Sequence, residues 1–383
     1  MLKAIAYTGG DNAPSGRYRW DPYIPHLHRE NIDLTLCPSR AGRYPPEKKW
    51  LRPAWALWNL TEHVPAVLRS YRYDITLLQR EMLSTLVTLE PFAKRPRVLD
   101  VDDAIWVHRG GGFARRLAEL SDHVICGNHF LGDEFSRWNP NVSVVPTPVD
   151  TRRLVPADRN NGRPVIGWLG LSSGFGYLYA IEPALREVLR NHPEARLRVV
   201  SSSPPKFQTL PAEQVEFVPY ARQQEAADIQ GMTIGIMPLD DSVGSRGKCS
   251  FKMLQYMACG LPAVVSPVGM NAEVLRQGEV GFGARNLREW VDGLEMLLKD
   301  PDLCAGMGKA GRMVVEQNYS LEVLAPRLAK ILFRVADQHR SQPSLLARNS
   351  RNHQDGIKPA IQADVPHSIP VAKTSLPSHR GNG

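Results

Sequence analysis

The chain has no run of about 20 apolar residues, so nothing in it reads as a membrane-spanning helix. Its opening stretch, MLKAIAYTGG, lacks the apolar core of a secretory leader, and the expected location is the cytoplasm. Cysteine is scarce. The five in 383 residues (Cys37, Cys126, Cys249, Cys259 and Cys304) are odd in number and never spaced C-x-x-C, which argues against a disulfide framework or a zinc site and for reduced thiols. There is no G-x-G-x-x-G, which disfavours a nicotinamide or flavin site, so no cofactor and no metal are expected. Acidic residues are outnumbered, 39 against 47 Lys and Arg, giving a net charge of +8. That excess points to anionic partners. Nucleic acid is not expected among them, because no recognition motif or clustered Lys/Arg stripe is present.

What is present is a repeating pattern of short apolar runs that end in small or turn-forming residues. In the first half these are LKAIAY from Leu2, IDLTLC from Ile32, ITLLQ from Ile75, RVLDVD from Arg97, HVICGN from His123 and VSVVP from Val142. Near-continuous apolarity suits strands buried on both faces of a parallel sheet, and the helical spacing between several of them makes the class α/β. The proline-rich stretch VPTPVDTRRLVPADRNNGRP interrupts the pattern, which then restarts with VIGWLG, LRVVSS, VEFVPY, TIGIMPL and PAVVS. The length suits two domains. The expected organisation is a first domain over 1–150, a linker over 151–163, a second domain over 164–318, a helix over 319–340 placed to pack back on the first domain, and a tail over 341–383. The tail is rich in Ser, Pro, Asn and His, holds five Lys/Arg against two Asp/Glu, and reads as disordered.

One stretch carries an unusual charge placement. GKCSFKMLQYMACGLP, Gly247 to Pro262, turns into a helical apolar pattern through Phe251, Leu254 and Ala258 and stops at Gly260 and Pro262. Lys248 precedes this helix and Lys252 lies in its first turn, the end where the helix dipole disfavours cations. A bound dianion would offset that, with Arg246 beside the two lysines and free backbone N–H groups at the helix start. Solvated surface lysines are the plainer reading of the same residues.

The segment Asp240–Glu273, DDSVGSRGKCSFKMLQYMACGLPAVVSPVGMNAE, resembles the donor-binding signature of glycosyltransferase family four. Pieces of the first half, QRE at Gln79–Glu81, DVDDAIW at Asp100–Trp106 and VICGNHFL at Val124–Leu131, are similar to the acceptor domain of one branch of that family, and IGWLGLSSGFGYL from Ile166 to the opening of its donor domain. The resemblance covers about residues 1 to 335. It implies the GT-B architecture: two facing Rossmann-like domains with parallel sheets and an interdomain cleft. It also implies a retaining, metal-independent transfer from a nucleotide-diphosphate sugar. The donor site it implies comprises Gly170, Ser172, Ser173, Arg246, Gly247, Lys248, Lys252, Gln255, Gly269, Met270, Asn271 and Glu273. Two family glutamates fall on Gly247 and Gln255 in this chain; the glutamine keeps hydrogen-bonding capacity and the glycine does not replace a carboxylate.

Asp102 and Asp103 end a strand and are candidates for orienting an acceptor hydroxyl, with capping of the next turn as the alternative; with Lys252 they are the expected catalytic residues. Gly9, Gly10 and Gly16 allow close approach of a ligand after the first strand, and Arg17 and Arg19 are placed to meet an anionic acceptor or the donor phosphate. Trp50, Trp55 and Trp58 lie among Lys48, Lys49 and Arg52. This reads either as a helix packed on the sheet with buried indoles, the favoured reading, or as a membrane-surface helix. The expected partners are therefore a nucleotide sugar and a sugar, polymer-linked or lipid-linked acceptor, with peripheral membrane contact as a further option. The rival readings are a GT-B sugar-nucleotide binding protein with weakened catalysis and a sugar-nucleotide epimerase.

Overall fold

The computed structural model describes residues 1–10, 14–157 and 162–341. Part of the expected linker and nearly all of the expected tail lie outside the described residues. The first sheet is formed by β1 (Leu2–Thr8), β2 (Ile32–Pro38), β3 (Ile75–Gln79), β4 (Arg97–Val101), β5 (His123–Cys126) and β6 (Val142–Val144). The second is formed by β7 (Val165–Leu169), β8 (Arg196–Ser201), β9 (Val215–Pro219), β10 (Ile234–Met237), β11 (Ala263–Val265) and β12 (Gly281–Gly283). Every pairing is parallel. Strands β3, β4, β5 and β7 are buried at every position, which is why they read as unbroken apolar runs rather than as alternation. The eleven apolar runs of the sequence are eleven of these strands. The twelfth, β12, is the tripeptide Gly-Phe-Gly, too short and too poor in β-branched residues to be read as one.

The strand orders, β2-β1-β3-β4-β5-β6 and β12-β11-β10-β7-β8-β9, each reverse once, at β1/β3 and at β7/β10. Open parallel sheets bind ligands outside the carboxyl ends of strands at such reversals. The segments at stake are thus those following β1 and β3 in the first domain and β7 and β10 in the second.

The long helix Leu321–Ser341 returns to the first domain. Its Leu324, Leu328, Leu332 and Val335 share a buried cluster with Leu2, Ala4, Leu77 and Val98. The two chain crossings run side by side, with Val149 N–H donating to Tyr319 O at 2.8 Å and Leu321 N–H to Val149 O at 3.2 Å. Arg312 ties the segment after Val149 to the second domain through the carbonyls of Thr151, Leu154 and Ala258.

Candidate active site

After β10 the chain passes through the short helix Val243–Arg246 and enters the helix Phe251–Ala258 at Ser250. Ser250 holds φ +50°, a left-handed conformation that a non-glycine residue adopts only under constraint. The constraint is visible: its Oγ donates to Asn271 Oδ1 at 2.6 Å, and Asn271 Nδ2 donates to Ser266 O at 3.0 Å, all buried. Lys248 and Lys252, flanking this turn, both line one cleft between the domains. Lys252 is half-buried and reaches across Gly170, with its ammonium 4.4 Å from the Trp168 ring centre. A Cβ on Gly170 would lie 2.6 Å from that ammonium, so the glycine is what lets the lysine pass. Burial, and secondarily the charge of Lys248, pulls the Lys252 pKa down to about 7. Among the described residues neither side chain has an acidic partner. One turn on, Gln255 is 1% exposed and its amide nitrogen has no partner. Buried polar atoms are normally satisfied, so the floor of this cleft is short of hydrogen bonds that a ligand can supply.

The opposite wall belongs to the first domain. Arg17 and Tyr18 come from the helix Pro14–Arg19, and Asp102 and Asp103 from the end of β4. Among the described residues Asp102 Oδ1 is buried without a partner, while Asp103 Oδ1 accepts from Ala104 N–H at 2.9 Å. Tyr18 bridges the cleft. Its ring lies 4.7 Å from that of Phe251, and its hydroxyl shares a hydrogen bond with Tyr220 at 2.8 Å and donates to Glu225. Burial, then Glu225, pushes its pKa well up, so it remains a neutral donor. The cleft encloses about 370 Å³. Among the described residues no three His, Cys, Asp or Glu side chains gather in a way that could hold a metal ion.

Nine of the expected site residues therefore line one cleft: Lys248, Lys252, Gln255, Gly170 and Ser173 on one side, Arg17, Arg19, Asp102 and Asp103 on the other. Several expectations need correction. Arg19 is not free to meet an anion. Its guanidinium is buried, bound to both Asp100 oxygens at 2.7 Å, to Thr147 Oγ1 and to Val145 O. Arg246 does not line the cleft; it is exposed and paired through two nitrogens with Asp241. Met270 is core, Asn271 supports Ser250, and Glu273 pairs with His129 of the first domain at 2.9 Å, so none of the three faces the cleft. Gly269 has φ +52° and backs directly onto Arg246 O, which a Cβ would approach to 2.5 Å. Gly247 packs against Ala104 rather than lining the cleft. Ser172 meets Ser202 beside the cleft. Gly9 and Gly10 are buried in the loop after β1, and Gly16 is buried within the helix Pro14–Arg19; a Cβ on Gly10 would strike Ser39 O at 2.3 Å.

The tryptophans also depart from the favoured reading. Trp50 is 75% and Trp58 59% exposed, and Trp55 is half-buried with its indole N–H donating to Ala41 O at 3.0 Å. The helix Arg52–Ser70 buries Asn59, His63, Ala66 and Val67 and leaves Leu57, Trp58, Val64 and Leu68 outward. Pro53 is tolerated because it sits in the first turn.

Residues 163–300 match the family model described as Glycosyl transferases group 1. The match spans β7 to the end of the helix Leu287–Lys299 and includes the whole segment Asp240–Glu273. A curated relative, the GDP-mannose-dependent monoacylated alpha-(1-6)-phosphatidylinositol monomannoside mannosyltransferase of Corynebacterium glutamicum, is 26% identical over 219 residues. That alignment covers 51% of this chain and 56% of the relative, so the chain spans little more than half the length of the protein it matches. Solved structures cover both domains. Sucrose-phosphate synthase from Thermosynechococcus elongatus superposes with a TM-score of 0.64 at 15% identity, over 87% of this chain and 98% of that one. Anabaena HepE in complex with UDP-glucose superposes with a TM-score of 0.62 at 12% identity, over 86% and 99%. The fold is GT-B.

Sequence reasoning missed Trp168, Tyr18 and Asn128. Trp168 reads as a strand residue, and the placing of its ring face under the Lys252 ammonium depends on two glycines, Gly170 and Gly174, that leave it room. Asn128 ends up holding the lysine loop. It caps the helix His129–Ser136 through Oδ1 and donates Nδ2–H to Lys248 O at 3.0 Å and Arg246 O at 3.3 Å across the domain boundary. Nothing in the sequence signals a contact between residues 120 positions apart.

Proposed function

We propose that the protein is a retaining, metal-independent glycosyltransferase that uses a nucleotide-diphosphate sugar. The observation that carries this reading is the pair Lys248 and Lys252: two lysines that, among the described residues, have no acidic partners, in one cleft, at the start of a helix whose Gln255 amide is also unsatisfied. The diphosphate lies against the two lysines and the helix amides, and the Gln255 amide meets the ribose. Two cations within one turn repel each other, which is part of why the Lys252 pKa falls, and a dianion relieves both the repulsion and the burial cost. The match of residues 163–300 to glycosyltransferases and the mannosyltransferase relative support the glycosyltransferase part of this reading.

In this mechanism the sugar C1–O bond to the diphosphate breaks while a C1–O bond to the acceptor forms on the same face. The acceptor proton passes to the leaving phosphate oxygen. Charge grows on the diphosphate, and a preorganised cation there is worth about 3–4 kcal/mol of barrier. Asp102, which lines the cleft and whose Oδ1 has no partner among the described residues, orients the acceptor hydroxyl. The exposed Trp50 and Trp58 beside Lys48, Lys49 and Arg52 favour an acceptor presented at an anionic membrane surface over a soluble one.

A nucleotide-sugar panel read by thermal stabilisation tests the assignment. A ligand at 100 times its dissociation constant adds about 2.7 kcal/mol, and hits are then assayed for diphosphate release and, with an acceptor, for the anomeric configuration of the product. No stabilisation by any nucleotide sugar sinks the reading. Stabilisation without release favours the rival of a binding protein, for which the missing carboxylate at Gly247 speaks.

A further inference from the structure

The first domain holds a second polar cluster that the donor site does not use. It lies at the carboxyl ends of β1, β3 and β4, next to the Asp102 and Asp103 wall of the cleft. Arg43, in the loop after β2, is 2% exposed, and Arg80, directly after β3, is 7% exposed. Arg43 donates one Nη2–H to Gln79 O, and its Nε and Nη1 have no partner among the described residues. Arg80 Nε reaches only Glu81, at 3.7 Å, beyond hydrogen-bond distance. Among the described residues both polar atoms of the Gln79 side chain are also unpartnered, and so is Arg17 Nε on the cleft wall. Gln79 links the two: its Oε1 lies 3.7 Å from where a Cβ on Gly16, beside Arg17, would stand.

Two further observations bear on this cluster. Arg80 has φ +62°, a left-handed conformation that costs energy for a side chain of this size and that collects at functional positions. The two guanidinium groups also act on each other: after burial itself, the charge of Arg80 is what most lowers the pKa of Arg43, while Glu81 and Asp102 act the other way. Buried arginines are ordinarily engaged by carboxylates in two-pronged contact, as Arg19 is by Asp100 in this same domain. Here the acids close by, Glu81 and Asp102, leave the arginine nitrogens and an Asp102 oxygen unmatched. A set of free guanidinium donors beside free carboxylate and amide acceptors matches a polyhydroxylated molecule that carries an anionic group.

We propose that Arg43 and Arg80 form an anion-recognition subsite, and that the acceptor class is a sugar or polyol bearing a phosphate or carboxylate group. The anionic group sits on the two guanidiniums, and a neighbouring hydroxyl reaches Asp102. This deepens the proposed transferase reading and rests on it for the word acceptor, but the subsite itself can be tested separately. The full chain carrying Lys248→Ala and Lys252→Ala, which lacks the donor cations, is titrated with methyl phosphate and with acetate, glycerol serving as the neutral control. Saturable binding of one anion and none of glycerol is expected, and the anion that binds distinguishes a phosphate from a carboxylate source. Adding Arg43→Gln weakens that binding at least tenfold, and Arg43→Lys, which keeps the charge but not the fork, weakens it less. Arg80→Gly, which removes the guanidinium at a position where glycine fits the backbone, gives an independent loss. A flat titration overturns the proposal. So does unchanged anion affinity in Arg43→Gln and Arg80→Gly with only their melting temperatures lowered, which would make the arginines structural. Nucleoside diphosphate binding to the parent is measured alongside. Its absence sinks the donor reading and leaves the anion titration of the double variant intact as a test of the arginines.

Discussion

Gly247 touches Ala104 across the domain boundary so closely that a Cβ on the glycine would lie 2.6 Å from Ala104 Cβ and 2.8 Å from its backbone nitrogen. No side chain fits at Gly247 while the domains are in contact. Gly247→Ala should therefore lower the melting temperature and weaken nucleotide-sugar binding together, because the domains must part to admit one methyl. Overpacking of this kind typically costs about 1–3 kcal/mol. Ala104→Gly in the same chain restores only part of the loss, since the backbone nitrogen still clashes. Wild-type stability in Gly247→Ala would show that the contact is not maintained in solution.

Lys252 should make donor binding depend on pH. Its pKa near 7 in the free protein means that the ammonium is fully present below neutrality and is lost as pH rises through 7. If Lys252 holds the diphosphate as proposed, affinity should be greatest below pH 7 and fall above it, by up to about tenfold per pH unit until the bound-state pKa is reached. A nucleotide sugar is the right probe, because its phosphates do not titrate in this range. Lys252→Arg stays charged and should flatten the profile; Lys252→Ala should lower diphosphate and nucleotide-sugar affinity while the nucleoside alone binds as before. A parent profile that is flat from pH 6 to 9 would contradict the burial of this lysine.

Much of the architecture was legible because parallel strands buried on both faces leave an unmistakable trace: ITLLQ from Ile75 is β3, and VIGWL from Val165 is β7. The lysine helix was legible for a different reason, an energetic conflict between charge and dipole that local structure cannot resolve. What sequence could not supply was pairing at a distance. Arg19 and Arg17 are equivalent on paper, two residues apart and equally basic. Only the fold puts Asp100 against one and leaves the other with a free nitrogen on the cleft wall. Arg246 was misplaced for the same reason, since Asp241, five residues back, captures it. Trp50, Trp55 and Trp58 share one composition signal and two fates, exposure for Trp50 and Trp58 and half-burial for Trp55, because the signal does not encode what the segment packs against.

Asn128 should prove to position the lysine loop. Asn128→Ala removes both the cap of the helix His129–Ser136 and the two hydrogen bonds to Arg246 O and Lys248 O. Asn128→Asp separates them, because a carboxylate caps as well as an amide but has no N–H to donate. The expected outcome is near-parental melting of the isolated capping contribution in Asn128→Asp, within about 1 kcal/mol, but a several-fold higher KM for the nucleotide sugar. Equal KM in the two chains would confine Asn128 to its cap.

The outward face of the helix Arg52–Ser70 gives the last prediction. Trp50, Leu57, Trp58 and Leu68 are exposed, with Lys48, Lys49 and Arg52 at the same end. An apolar stripe of this kind in water is unfavourable by about 25 cal/mol per Å² left uncovered, and the adjoining cations select an anionic surface to cover it. The protein should co-sediment with anionic vesicles at low salt, with a blue shift of tryptophan emission, and should release as ionic strength rises, because exposed charges are screened beyond about 8 Å at physiological salt. Trp50→Ala with Trp58→Ala should abolish sedimentation and leave the melting temperature unchanged, since neither indole is part of the core. Trp55→Ala should do the reverse: its half-buried ring and its hydrogen bond to Ala41 O make it a stability residue, at a cost of about 1–3 kcal/mol. If vesicles of neutral and anionic lipid bind the chain equally, the cations do not select the surface; if neither binds it, the exposed indoles serve another contact and the acceptor is soluble or carried on a polymer.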